Sequence, residues 1–312
     1  MPKPLPPATI ANLAPPPSAY PYQFFENVEQ HPFYASASRL DLRNVWWLMD
    51  ASFLAYSTEA DVRAVFQRNA FGSPVSVRWF SGKCTTQCYV ADADDWIVMA
   101  FRGTQVDDFW PSVLDWSIDA RILPVPDAHG DLVHAGFLGA IQEVWSDVIG
   151  HVTTLQARRS RPLWVTGHSL GAALATIAAN LCGDEPDSGL HAVYTYGSPR
   201  VGDQPFVRRI GAPVWRMRNN SDVVTNLPLG LVFRHAGVLA LVDGAGHWHV
   251  DSSPAEEALF EASTTGLLSN QAHRVGSLLH LAEQGVPLPG PLADHAPINY
   301  AIRLWNCYEA SR

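Results

Sequence analysis

The chain has 312 residues, 47% of them hydrophobic and 16% charged, which is enough apolar material to bury a large core in one domain. A formal net charge of −9, with no basic stripe or basic helix, excludes an electrostatic grip on a phosphate backbone, so nucleic acid is not an expected partner. The most apolar long stretch, 163–182, is interrupted by Gly167, His168, Ser169 and Gly171 and makes a poor membrane span. The first residues have no basic segment followed by an apolar run. The expectation is therefore a soluble protein without a transmembrane segment, cytoplasmic or exported after loss of a leader.

Residues 1–40 hold nine prolines and no sustained hydrophobic period, which predicts a loosely attached, extended arm that lies on the body or is partly disordered, ahead of a single domain over 41–312. A helix over 42–57 follows from the spacing of Val45, Trp46, Leu48, Met49 and Phe53. Strands are predicted at 75–80, 87–91 and 96–101. Ser81-Gly82-Lys83 joins the first two and an Asp-rich turn the next pair, so the sheet starts antiparallel. From Gly136 the pattern changes to an amphipathic helix over 137–155, a short strand at 162–166 and an Ala-rich helix over 172–181. A strand at 191–196, a helical stretch near 204–210 and a strand at 213–217 follow. Strands alternating with helices imply an α/β class with a mostly parallel sheet covered on both faces. The tail reads as a hairpin-like region at 231–242, helical segments near 273–283 and a final helix from about 294 to 307. Cys84 and Cys88 sit on one strand face about 13 Å apart at strand rise, so the four cysteines, with Cys182 and Cys307, define no disulfide framework.

Between the 162–166 strand and the Ala-rich helix lies Gly167-His168-Ser169-Leu170-Gly171, a Gly-x-Ser-x-Gly pattern in strand–turn–helix context. A nucleophile on this turn needs positive φ, and glycines two residues to either side clear the space where strand and helix pass closest. The helix start places the Leu170 N–H and the positive end of a helix dipole beside a developing oxyanion. His168, as a chain neighbour of Ser169, leaves the turn in another direction and is read as structural.

A serine hydroxyl needs a base, and the base needs a carboxylate to fix its tautomer. In this chain order the best acid is Asp222, just past the 213–217 strand in Asn219-Asn220-Ser221-Asp222. Asp203 reads more simply as a helix N-cap. His295, on a Pro/Gly-rich loop entering the last helix, is the predicted base, while His273 and His280 are read as helix-face packing. His247 and His249 share a strand face near His235, but no cysteine or carboxylate cluster completes a metal site, and none is predicted.

The chain resembles the class 3, fungal-type triacylglycerol lipases, α/β-hydrolases, from about Leu40 to the last helix. The resemblance is carried by Phe101-Arg102-Gly103-Thr104, Val133-His134-Ala135-Gly136-Phe137, the elbow at Ser169, and Tyr196-Gly197-Ser198-Pro199-Arg200-Val201-Gly202-Asp203. Asn220-Ser221-Asp222-Val223-Val224 through Pro228, and Asp294-His295, complete it. It implies that Thr104 supplies a second oxyanion donor and supports Asp222 and His295 as triad members. It also implies a lid around 105–124. On a helical wheel Asp108, Ser112, Asp115 and Asp119 fall on one side and Phe109, Trp110, Val113, Leu114 and Trp116 on the other. Stretches 227–233 and 286–292 are further candidate walls of an acyl groove. The several-disulfide pattern of secreted fungal members is not evident, the Pro-rich arm has no matched counterpart, and 252–292 is longer.

These residues predict a cofactor-independent serine ester hydrolase acting on lipid or ester substrates, acylglycerols first. The alternatives are a phospholipase or galactolipase, a short-chain carboxylesterase, and remotely a non-catalytic binding protein.

Overall fold

The fold is taken from a computed structural model that describes residues 2–16, 20–83, 86–104, 123–228, 232–250 and 286–312. The 105–124 lid expectation, apart from its last two residues, the helical segments near 273–283, and Cys84 lie outside the described residues.

The Pro-rich arm carries one short helix, α1 (Ile10–Leu13), and lies on the body. Leu13, Phe24, Phe25 and Val28 are buried, so apolar anchors set between the prolines hold the arm on the body. Helix α2 (Leu42–Leu54) starts at Asp41, whose side chain accepts from the N–H groups of Arg43 and Asn44. Its residues from Asn44 to Leu54 are all buried, so it is a core helix and not an amphipathic one. Asp50, fully buried on α2, accepts from the Tyr22 hydroxyl at 2.5 Å and the Phe25 N–H at 2.6 Å and so latches the arm. Helix α3 (Glu59–Arg68), capped by Thr58, was not anticipated, since its apolar side is only Val62, Val65 and Phe66.

Strands β1 (Ser76–Ser81), β2 (Gln87–Asp92) and β3 (Ile97–Phe101) form the antiparallel start. A small hairpin, β4 (Pro124–Pro126) with β5 (Leu132–His134), precedes α4 (Ala135–Gln142) and α5 (Trp145–Arg158). The single helix expected over 137–155 is thus two. Val144 leaves helical geometry at φ −123°, ψ −15°, and the break keeps it buried beside Ile141 and Val148. Then come β6 (Leu163–His168), α6 (Leu170–Leu181), β7 (Leu190–Tyr196), α7 (Gln204–Arg208), β8 (Val214–Asn219), β9 (Val238–Val242) and β10 (Trp248–Val250).

The main sheet has eight strands in the order β1-β2-β3-β6-β7-β8-β9-β10, parallel from β3 through β9 and antiparallel at both ends. The hairpin expected at 231–242 is displaced: β9 pairs parallel with β8, and its antiparallel partner β10 lies downstream across the Asp243 to Gly246 turn. Gly237, at φ 77°, permits this, because a Cβ there would strike the Val214 carbonyl. Successive β3 residues serve opposite faces: Val98 and Ala100 face the core under α2, and Ile97, Met99 and Phe101 face the core under α4 to α6. The chain closes with α8 (Gly290–Ala293) and α9 (Pro297–Ala310), the latter packed on α2. The one helix expected from 294 is interrupted because Pro297 cannot continue a helix and holds Ala296 extended, which leaves His295 on a turn.

Burial pushes the Asp50 carboxyl up to about 7, against the two donors that favour its ionised form. Its folded pKa then lies above its unfolded one, so the fold prefers the protonated acid and this contribution to stability is lost as pH rises from about 4 to about 7. In urea titrations across that range, Asp50→Asn should gain on the wild type as pH rises, by at most about 4 kcal/mol. A wild-type-minus-variant difference that stays flat with pH would count against the latch as described.

Candidate active site

Ser169 occupies the turn between β6 and α6 at φ 59°, ψ −124°, a conformation L-residues seldom adopt. The turn is held by the Ser169 N–H to the Tyr196 carbonyl, 2.9 Å, and by the helix that begins at once. A Cβ at Gly167 would collide with the backbone of Gly171 and Ala172, and one at Gly171 with the Phe101 carbonyl. The glycines are therefore set by the closeness of strand and helix.

Three side chains from separate loops meet here. His295 Nε2 lies 2.8 Å from Ser169 Oγ, and its Nδ1 lies 3.0 and 2.9 Å from Asp222 Oδ1 and Oδ2. All three are fully buried. A carboxylate accepts, so Nδ1 carries the proton and Nε2 is left to accept from the serine hydroxyl. Asp222 follows β8, where the chain turns through Asn220 at φ 43°. Its Oδ1 also accepts from the Val224 N–H at 2.9 Å and its Oδ2 from the Tyr300 hydroxyl at 2.6 Å. Tyr300 accepts in turn from the Asn219 N–H, 3.0 Å.

Asp294 ties the acid turn to the base turn. Its Oδ2 accepts from Asn220 Nδ2 at 2.8 Å and from the Ser221 N–H at 3.2 Å, and its carbonyl accepts from Asn219 Nδ2 at 2.8 Å. Burial raises its carboxyl pKa. Gly197, at φ 57° after β7, lies under the pair: a Cβ there would meet Asp222 Oδ2 and the His295 ring. Reasoning from the triad alone misses Tyr300, Asp294 and Gly197. The motifs Tyr196-Gly197-Ser198 and Asp294-His295 were the available signal for two of them, and Tyr300, one turn into α9, carried none.

Leu170 opens α6, so its N–H is among those a helix leaves without an intrahelical partner. Thr104 ends the described part of the loop after β3, half-buried, and its hydroxyl has no hydrogen-bond partner among the described residues. Phe109, Trp110, Val113, Leu114 and Trp116 lie outside the described residues, as do His273 and His280. Asp203 caps α7 through the Phe206 N–H and also accepts from the Leu132 N–H, apart from the triad. His235 is half-buried and faces the Thr225 carbonyl, while His247 and His249 both face Asp243 at the surface. Among the described residues no group of His, Cys, Asp or Glu side chains is arranged to hold a metal ion, and no helix is long and apolar enough to cross a membrane. A cavity of about 1070 Å³ bounded by Phe33, Phe71, Trp96, Arg161 and His191 lies at the opposite ends of the strands from Ser169 and does not belong to this site.

A family model described as lipase (class 3) matches residues 98–231. A lipase of Rhizomucor miehei is 34% identical over 176 residues, covering 52% of this chain and 44% of that protein. Phospholipase A1-II 1 of Oryza sativa subsp. indica is 32% identical over 172 residues, covering 47% of this chain and 43% of that protein. The chain thus spans less than half the length of either relative. The solved structure of the Rhizomucor miehei triacylglyceride lipase superposes with a TM-score of 0.55 at 26% identity, over 66% of this chain and 81% of that one. An α/β-hydrolase sheet and a serine on its elbow turn accompany these matches, and over residues 98–231 the chain is similar to the class 3 lipases.

Proposed function

We propose that this chain is a serine-dependent carboxylic ester hydrolase, a lipase that releases fatty acids from acylglycerols. The observation that carries the reading is the unbroken hydrogen-bonded path from Ser169 Oγ through the His295 ring to Asp222. In this reading His295 takes the Ser169 proton as Oγ attacks the ester carbonyl, and Asp222 stabilises the imidazolium. The oxyanion is held by the Leu170 N–H and by Thr104, whose hydroxyl has no competing partner among the described residues. Alcohol leaves, and water activated by the same histidine releases the acid from the acyl-enzyme.

Ser169 and His295 present no surface to solvent, so substrate reaches them only when their cover moves. We assign that cover to 105–124, whose apolar side, Phe109, Trp110, Val113, Leu114 and Trp116, would turn toward lipid as it opens. A phospholipase A1 reading is kept second, because a rice relative of that name is 32% identical over 172 residues.

Ser169→Ala should lower kcat on p-nitrophenyl esters and emulsified triglycerides by at least about 10⁴-fold. For the wild type, long chains should be preferred and the rate should jump above the substrate's solubility limit. Activity confined to short soluble esters would make it an esterase, faster release from phosphatidylcholine than from triglyceride would favour the second reading, and activity surviving in the serine variant would end the assignment. Gly197→Ala, which forces a Cβ against Asp222 and His295 at a positive φ, should cost about 10²-fold in kcat while the protein still folds. Wild-type kcat in that variant would mean that the acid–base pair tolerates displacement.

A further inference from the structure

The residue before the nucleophile has a place in the site that a chain neighbour need not have. His168 is fully buried, and both its ring nitrogens are used. Nε2 lies 2.9 Å from the main-chain carbonyl oxygen of His295, and Nδ1 lies 2.9 Å from the Tyr56 hydroxyl. A carbonyl oxygen only accepts, so Nε2 carries the proton, and in a neutral imidazole Nδ1 is then left to accept from Tyr56. The ring stands 4.8 Å from the His295 ring, centroid to centroid, tilted by 32°. Burial, and then the neighbouring His295, hold the His168 pKa well below the usual imidazole range, and burial raises that of the Tyr56 phenol. The neutral tautomer and the donor hydroxyl are therefore both maintained.

The chain of contacts continues on the other side. Tyr56 lies just past the end of α2, and its hydroxyl sits where a Gly103 Cβ would be. That same Cβ would crowd the His168 carbonyl. The turn that carries Thr104 therefore rests directly on Tyr56 and His168. We propose that His168 is a positioning residue for the hydrolytic reaction: with Tyr56 it ties the Gly103-Thr104 turn to the backbone of His295, so that the oxyanion side and the base side of Ser169 are held in one register. His168 touches no reacting atom in this scheme and acts through His295 and the turn. The geometry explains why a histidine suits the position, since it needs a donor and an acceptor about an imidazole's width apart on a fully buried side chain.

This inference rests on the serine-hydrolase reading, and the test separates the two. Labelling of the full-length wild type by a fluorophosphonate probe, lost in Ser169→Ala, checks that reading alone. Three variants then check His168. Gln places an amide donor near the position of Nε2, Asn falls short of the His295 carbonyl, and Tyr56→Phe removes only the hydroxyl.

His168→Asn should lower kcat, and the labelling rate with it, by about 10²-fold, with KM unchanged within about twofold. His168→Gln should recover to within about fivefold of wild type, and Tyr56→Phe should lose about tenfold in kcat. The downfield proton of the His295–Asp222 bond should shift in Asn and return in Gln. Equal losses in Gln and Asn that follow their thermal stability, or wild-type kcat in Tyr56→Phe, would overturn the proposal. Tyr56→Phe keeps it open to refutation even where a His168 variant does not fold. A wild type that takes no label would overturn the reading of the site and this inference with it.

Discussion

A carboxylate with no exposure to water is the constraint on which the rest of this site depends. Asp222 is fully buried beside an imidazole, and an ionised acid in such a place is tolerable only if its oxygens are satisfied. Four contacts do this: two from the His295 ring nitrogen, one from the Val224 N–H and one from the Tyr300 hydroxyl. Each donor belongs to a different stretch of chain. Keeping the acid charged thus fixes the turn after β8, the first turn of α9 and the loop carrying the base. Asp294 repeats the device one residue before the base, with its carboxylate turned back on Asn220 and Ser221.

The second constraint is steric. Ser169 reaches the front of the sheet only because the chain reverses in one residue at positive φ, and the reversal brings β6, α6 and the end of β3 within backbone contact. The strained residue is held by its surroundings: a sheet fully apolar on both faces at β3, and an Ala-rich helix that packs closely on β6 and β7. The alternation of Val98 and Ala100 with Ile97, Met99 and Phe101 is what lets one strand serve two cores and hold the turn still.

Much of this was legible in the chain itself, for identifiable reasons. Parallel strands and their helices announce themselves by buried apolar runs of the right length, and the order serine, acid, histidine placed Ser169, Asp222 and His295 as candidates that the fold brings within hydrogen-bond reach. What periodicity could not give were features set by a single residue. Val144 breaks a helix that looks continuous, Gly237 moves a hairpin downstream, and Pro297 splits the last helix so that the base sits on a turn. Composition leaves the attachment of the arm open because prolines dominate it, while its binding to the body rests on a few positions, Leu13, Phe24, Phe25 and Val28, and on one buried carboxyl group from α2. Tyr300 was invisible because its part is played by one hydroxyl on a helix whose apolar pattern already accounts for a tyrosine at that position.

The two constraints together brace the residues around Ser169. Ser169, Asp222 and His295 are held by cross-braces: acid turn to base turn through Asp294, acid to α9 through Tyr300, elbow to β7 through its own N–H, and base backbone to His168. Such bracing suits a site whose catalytic power lies in donors fixed before the reaction begins, because they need not reorganise as charge develops. It also means that access cannot come from loosening the triad itself, since any opening there would unpair a buried carboxylate at a cost of several kcal/mol.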